Sequence, residues 1–169
     1  MVPGPDLLAQ LGRARHLGFL GPGPVEAHVH HAQAFVVELA AVTGTVIDLG
    51  SGGGVPGLVM AVARPDLEVV LLESMARRAS FLREAVVAMA LGNVTVVEDR
   101  AETVGRGARR GTAMAVTARS FGPPAVTAEC AAPLLQVGGL LVVSEPPTAA
   151  PRWPAAELAR LGLRPEHRT

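Results

Sequence analysis

The 169-residue chain contains no lysine and no tyrosine, and it has only one cysteine, one tryptophan and four phenylalanines. Each scarcity narrows the chemistry. Without lysine no Schiff base can form on a carbonyl substrate, and without tyrosine there is no phenol for acid–base work. A lone Cys130 excludes an intrachain disulfide, and no histidine lies near it in sequence, so it reads as a buried, inert thiol. No signal peptide and no long uncharged apolar run is recognisable, which sets the expectation of a cytoplasmic chain with no membrane partner. His28, His30 and His31 lack a cysteine or a second histidine pair, and adjacent helical residues face apart. They read as surface or helix-packing residues, and no metal is expected.

What is present is apolar bulk, glycine and arginine. An apolar content of 49% over this length suits one domain with a real core. All 15 basic residues are arginine and the formal charge is zero, but residues 1–75 hold 3 arginines against 7 acids while residues 76–169 hold 12 against 8. That second half permits a phosphate-bearing partner, although the overall balance is not that of an autonomous nucleic-acid binder.

The most informative stretch is residues 45–57, TVIDLGSGGGVPG. Val46 and Ile47 favour a buried strand, and Asp48 places a carboxylate near its carboxyl end, where open α/β sheets bind ligands. Gly50, Gly52, Gly53 and Gly54 allow a tight turn and close approach of a ligand to backbone. Pro56 suits the first turn of a helix, whose free amides would then point at the crevice. Gly52, Gly54 and Gly57 satisfy the dinucleotide pattern G-x-G-x-x-G. Asp48, Gly50, Gly52 and Gly54 also fit D-x-G-x-G-x-G, which resembles motif I of the S-adenosylmethionine (SAM) methyltransferases. A pyrophosphate would be repelled by Asp48, whereas the ammonium and sulfonium of SAM would be attracted, so the acid favours the cationic ligand.

Around that stretch the chain reads as alternating helices and strands. Residues 1–44 form a helical lead-in, with one segment over 7–20 and a second over 25–42. Strands are expected at 69–72, 94–97, 113–117 and 140–143, with Gly138-Gly139 as a turn before the last. Glu73 ends the second strand 21 residues beyond Gly52, near the spacing of about 20 at which such folds place the ribose-binding acid. Ser74 is a candidate cap for a helix whose apolar stripe is Met75, Ala79, Leu82, Val86 and Met89, with Arg77, Arg78 and Arg83 largely off it as a solvated face. A helix over 124–135 follows Arg119, which stands where the fourth strand meets the crevice. Pro146, Pro147, Pro151 and Pro154 make a stiff loop, and residues 155–161 a last helix before a polar tail. The expected organisation is a lead-in (1–44), a Rossmann-like core (45–145) and a proline-rich loop, helix and tail (146–169) in a single domain.

The span from about His31 to Ser144 resembles the small-subunit ribosomal RNA guanine-N7 methyltransferases, long called glucose-inhibited division protein B. The likeness runs through residues 48–57, Arg64-Pro65-Asp66, LESMARR at 72–78 with Phe81-Leu82-Arg83, DRAE at 99–102 and ARSF at 118–121. It implies a class I SAM methyltransferase fold, a mostly parallel sheet with helices on both faces, here expected without the family's final strand pair. It implies SAM as cofactor and ribosomal RNA or the small ribosomal subunit as partner. It also implies roles: Asp48 and the backbone from Gly50 through Gly52 to Gly54 for the methionine end, Glu73 for the ribose, Ala101 and Glu102 for the adenine, and Ser51 and Ser74 as further cofactor-binding residues. Arg119 would lie beside the transferable methyl as the catalytic residue. The chain departs from the family at Gln33-Ala34, in place of an aspartate-serine pair, and at Ser144-Glu145-Pro146, in place of a lysine-glycine pair. Alternative readings are methylation of a small metabolite, a SAM-binding or partner-binding protein without catalysis, and, more distantly, NAD-dependent oxidoreduction. The oligomeric state is not legible.

Overall fold

A computed structural model describes residues 4–146 and 152–166. Five strands, β1 (Gly44–Leu49), β2 (Leu67–Glu73), β3 (Val94–Glu98), β4 (Ala113–Ala118) and β5 (Leu135–Val143), form one sheet in the order β3-β2-β1-β4-β5. Every neighbouring pair is parallel. The chain steps outward from β1 to β3, then returns to lay β4 against the other side of β1, so the order reverses between β1 and β4. A crevice opens at that reversal, beyond the carboxyl ends of the strands.

Seven helices are described: α1 (Pro5–His16), α2 (Val25–Glu38), α3 (Gly57–Ala63), α4 (Ala76–Ala88), α5 (Ala101–Val104), α6 (Pro124–Ala131) and α7 (Ala155–Arg160). The period-2 alternation of side chains divides the core into two layers. Val46, Val69, Leu71 and Ala115 face one side, where they pack with Leu7, Leu11, Val29, Phe35, Leu58 and Leu82 from α1 to α4. Ile47, Leu49, Val70, Leu72 and Val116 face the other, with Ala101, Val104, Cys130, Ala131 and Leu134. Burial on both faces explains why residues 69–72 of β2 read as an unbroken apolar run. By the same parity Asp48, Glu73 and Thr117 all project to the α1–α4 side.

Several local expectations change. Gly138-Gly139 does not end a turn before a short strand but lies inside β5, where Leu135 pairs with Ala113 and Leu140 with Ala115. Four residues of β5 bulge opposite one of β4, and Gly138 takes φ +83 to accommodate them. α6 stops at Ala131 rather than 135. Ser74 makes no cap; Met75 is the N-cap residue and lies 53% exposed, while Phe81 joins Ala79, Leu82 and Ala85 on the buried face of α4. Arg83 pairs with Glu98 at 2.8 Å, but Arg77 and Arg78 lie over the Phe19 ring, 5.5 and 5.8 Å from its centroid, instead of standing free in solvent. Pro3, Pro147, Pro151 and the end of the tail, 167–169, lie outside the described residues.

α4 ends in a Schellman arrangement, with Leu91 N donating to Val86 O and Ala90 N to Val87 O, which forces Ala90 to φ +51. An L-residue there is strained and a glycine is not, so Ala90→Gly should raise stability by about 0.5–1 kcal/mol after the extra chain entropy of glycine is counted. An unchanged or lower denaturant midpoint at constant m would contradict this.

Candidate cofactor site at the carboxyl ends of the strands

Asp48, the last but one residue of β1, is 1% exposed. Its Oδ2 accepts the Gly57 amide at 3.1 Å and its Oδ1 accepts the Thr117 hydroxyl at 3.0 Å. Thr117 stands directly opposite Asp48 in the β1–β4 register, so both groups share one face at the switch point. The expectation that this carboxylate guards the mouth of the crevice is therefore corrected: both oxygens hold the start of α3 and the end of β4 together. The Ser51 hydroxyl closes the same turn by donating to the Asp48 carbonyl at 2.9 Å. Burial pushes the Asp48 carboxyl up to about 6, against the downward pull of Thr117, Ser51, Gly57 and the Arg119 charge.

Two amides at the start of α3 are likewise engaged by the protein itself. Gly57 N donates to Asp48 and Leu58 N to Gly54 O. In the loop before it, Gly50 N and Ser51 N donate to Leu72 O, Gly54 N to Ser51 O, and Gly52 N to Glu73 Oε2 at 2.9 Å. These are donors a pyrophosphate would have needed. Discrimination against a dinucleotide thus has a different physical basis from the one the sequence suggested: engaged backbone donors, not an exposed acid. Gly50 adopts φ +70 and is covered by Phe121, whose Cδ2 would lie 2.5 Å from a Cβ placed there.

Glu73, 4% exposed, spreads its carboxylate between two backbone amides, Gly52 through Oε2 and Met75 through Oε1, the latter also at 2.9 Å. Each oxygen keeps a further lone pair. Ser74 beside it is exposed. Beyond β3, Ala101 is buried against the second core layer, while Glu102 is exposed and paired with Arg100 at 3.1 Å. Asp48, Gly50, Ser51, Gly52, Gly54, Glu73 and Ser74 thus gather at the ends of β1 and β2, and Ala101 and Glu102 open α5 past the end of β3.

Arg119 follows β4 on the other side of the reversal and is half-buried. Its Nη1 lies 3.1 Å from His28 Nδ1, and burial lowers its pKa while the Asp48 charge opposes that shift. His31, one turn further along α2, titrates below its ordinary value because of burial first, then the charges of Arg119, His28 and His30. Ser120, next in the chain, has φ +54, a strained setting for a serine.

Two features were not read from sequence. Thr117 was part of a short apolar strand, and its one clue is being polar at the level of Asp48. The second is the α1–α2 connection, which crosses the glycine loop: a Cβ at Gly53 would lie 2.7 Å from Leu20 Cδ2 and 2.9 Å from the Phe19 carbonyl oxygen. Among the described residues no group of three or more His, Cys, Asp or Glu side chains is placed to hold a metal ion, and no helix is long and apolar enough to cross a membrane.

The Asp48 shift predicts a pH dependence with a definite sign. The folded-state pKa, about 6, exceeds the ordinary 3.8, so the contribution of Asp48 is fully present below about 3.8 and is lost as pH rises through 6. Wild-type stability measured against Asp48→Asn should therefore fall by about 2 kcal/mol between pH 4 and 7. Urea unfolding of both proteins across that range checks it, and a difference that is flat or rises with pH refutes it.

A family model described as rRNA small subunit methyltransferase G (GidB) matches residues 24–149, which enclose the loop, Glu73 and Arg119. Ribosomal RNA small subunit methyltransferase G of Acidothermus cellulolyticus is 43% identical over 154 residues, covering 88% of this chain and 67% of that protein. Its namesake in Thermobifida fusca is 45% identical over 141 residues, covering 81% and 57% respectively. The chain thus spans roughly three fifths to two thirds of these relatives. Among solved structures, a Podospora anserina methyltransferase bound to S-adenosylhomocysteine (SAH) aligns at TM-score 0.64 with 15% identity, over 84% of this chain and 62% of the other. Coclaurine N-methyltransferase, bound to N-methylheliamine and SAH, aligns at 0.61 with 17% identity, over 74% and 38%. These two likenesses establish the Rossmann-like methyltransferase fold. By the match over most of its length, this chain belongs to the rRNA small subunit methyltransferase G family.

Proposed function

We infer that the chain is a SAM-dependent methyltransferase whose acceptor is small-subunit ribosomal RNA, at guanine N7. The observation that carries this reading is the family match over residues 24–149, which takes in the whole crevice. The structure's own support is chemical: the amides of Gly50, Ser51, Gly52 and Gly54 are already engaged within the protein, which disfavours a phosphate-rich ligand.

In this reading the residue 50–54 backbone and Ser51 hold the methionine end of SAM. The remaining lone pairs of Glu73 accept the ribose hydroxyls, with Ser74 at the rim, and Ala101 and Glu102 border the adenine. Asp48 acts one step back, by fixing the loop to β4 and α3. When bound, SAM supplies a methyl group on a sulfonium, ready for direct substitution. Guanine N7 already carries a lone pair, so the chain must position and desolvate rather than remove a proton. Arg119 is the residue placed to meet the acceptor.

Beside the loop lies a cleft of about 310 Å³ lined by Arg13, Leu17, Phe19, Arg77, Phe81 and Glu84 among others. Guanidinium groups beside a partly exposed ring, here Arg77 and Arg78 over Phe19, offer splayed single-stranded RNA phosphate contacts and flat surfaces for bases, while Phe81 is buried and supports the ring from beneath. Arg13 covers Phe81 at 5.4 Å, Phe19 and Phe81 meet edge to face at 5.6 Å, and Arg78 has a buried Nε without a hydrogen-bond partner. We assign this face to the RNA.

Calorimetric titration should show binding of SAM and not of NADH, with Glu73→Ala weakening SAM by about tenfold. Tight NADH binding without a SAM signal would reject the cofactor assignment. Labelled SAM should deliver its methyl to small ribosomal subunits lacking the modification. Binding without any transfer to RNA would favour the small-metabolite or non-catalytic readings. Arg77→Ala with Arg78→Ala should cut RNA methylation by about tenfold or more at moderate salt while leaving SAM affinity within about twofold. Equal loss of both would place the two arginines in the fold rather than at the RNA.

A further inference from the structure

We propose that His28 is a positioning residue for Arg119, and that the backbone strap over the glycine loop sets the tautomer through which it acts. This rests on the reading of Arg119 given above. The imidazole stands in the first turn of α2, whose buried side chains Val25, Val29, Ala32 and Phe35 anchor it against the core. Its Nδ1 lies 3.1 Å from Arg119 Nη1, and its Nε2 lies 3.1 Å from the carbonyl oxygen of Gly21.

Arginine has donors and no acceptor, so His28 Nδ1 must accept. The ring proton then sits on Nε2, where the Gly21 carbonyl requires a donor. The two contacts demand the same tautomer, and each reinforces the other. Gly21 belongs to the strap that joins α1 to α2, next to Phe19 and Leu20, which pack on Gly53. With the strap seated, the Gly21 carbonyl holds the proton on Nε2 and leaves the Nδ1 lone pair facing the guanidinium.

The alternative partner for Arg119 is the buried carboxylate of Asp48, whose charge acts on it. Asp48 is buried and already bonded to Gly57 and Thr117, no hydrogen bond or ion pair joins it to Arg119, and the guanidinium bonds to His28 instead. The imidazole therefore holds the guanidinium on the α2 side of the crevice, beside the strained Ser120 turn. A group so placed links closure of the strap over the SAM loop to the placement of the residue that meets the acceptor.

The amide of Asn can stand in for Nδ1 and that of Gln for Nε2, so the two substitutions separate the contacts. With labelled SAM and unmodified small ribosomal subunits, His28→Ala should lower kcat by about tenfold with the KM for SAM within about threefold. His28→Asn should recover most of the loss, and His28→Gln should not. Independently of turnover, nitrogen-15 spectra of histidine-labelled protein should show the Nε2–H tautomer at His28, with the Nδ1 resonance moving in Arg119→Ala. An Nδ1–H tautomer, an Nδ1 signal indifferent to Arg119, unchanged kcat in His28→Ala, or recovery by Gln rather than Asn would each overturn the proposal. If wild type neither binds SAM nor transfers methyl, the methyltransferase reading fails by itself, and the spectra still decide whether His28 holds Arg119 as described.

Discussion

A buried carboxylate that bridges a helix start and a neighbouring strand is the constraint on which the crevice depends. Asp48 gives up water on entering the core, and its pKa stays raised to about 6 even after Thr117, Ser51, Gly57 and the Arg119 charge offset part of that cost. Such an ion is tolerated only where its lone pairs are met. Here the Gly57 amide and the Thr117 hydroxyl meet them, and so the glycine loop cannot change shape without exposing an uncompensated charge. The same two bonds bring α3 and β4 to β1 at the point where the strand order reverses.

Glu73 repeats the device one strand away. Its oxygens tie Gly52 to Met75, so the loop after β1 and the lead into α4 are fixed by one side chain. With Leu72 O accepting from Gly50 and Ser51, the end of β2 serves as a template for the turn beside it. The consequence is chemical as well as structural. A loop in which the amides of Gly50, Ser51, Gly52 and Gly54 are already engaged has few donors left to wrap a pyrophosphate, although its glycine pattern matches a dinucleotide fingerprint. Pattern and available donors are separate properties, and the second decides the ligand class.

The strands and the loop were legible because they depend on local rules: apolar runs mark strands buried on both faces, and clustered glycines mark the turn. The direction of Asp48 was not, because a strand-end acid has the same sequence signature whether its lone pairs face a ligand or a helix. Gly138-Gly139 misled for a related reason. A glycine pair signals irregular backbone, but only the pairing of Leu135 with Ala113 and Leu140 with Ala115 shows a bulge within a strand instead of a turn before one. The strap was invisible because residues 17–20 read as the end of the first helix, which in fact stops at His16, and because its contacts lie with Gly53, some thirty residues on. His28 was judged by its neighbours in sequence, whereas its partner is 91 residues away.

The departures at the end of β5 can also be weighed physically. An acid at Glu145, where the family resemblance leads one to expect a lysine-glycine pair, would repel phosphates if it stood bare at the rim. It does not: Arg152 lies 3.3 Å from its carboxylate, and both side chains are at least partly sheltered, at 18% and 35% exposure. The pair presents little net charge, so the change removes an attraction without adding a repulsion. The cationic surface that remains lies on the opposite flank of the glycine loop, where Arg77 and Arg78 cover Phe19, while Arg13 over Phe81 is paired with Glu84. In the proposed reading RNA would meet the α1–α4 side, next to the strap and on the same sheet face as Asp48, Glu73 and Thr117, so that phosphate contact and cofactor loop would share one surface.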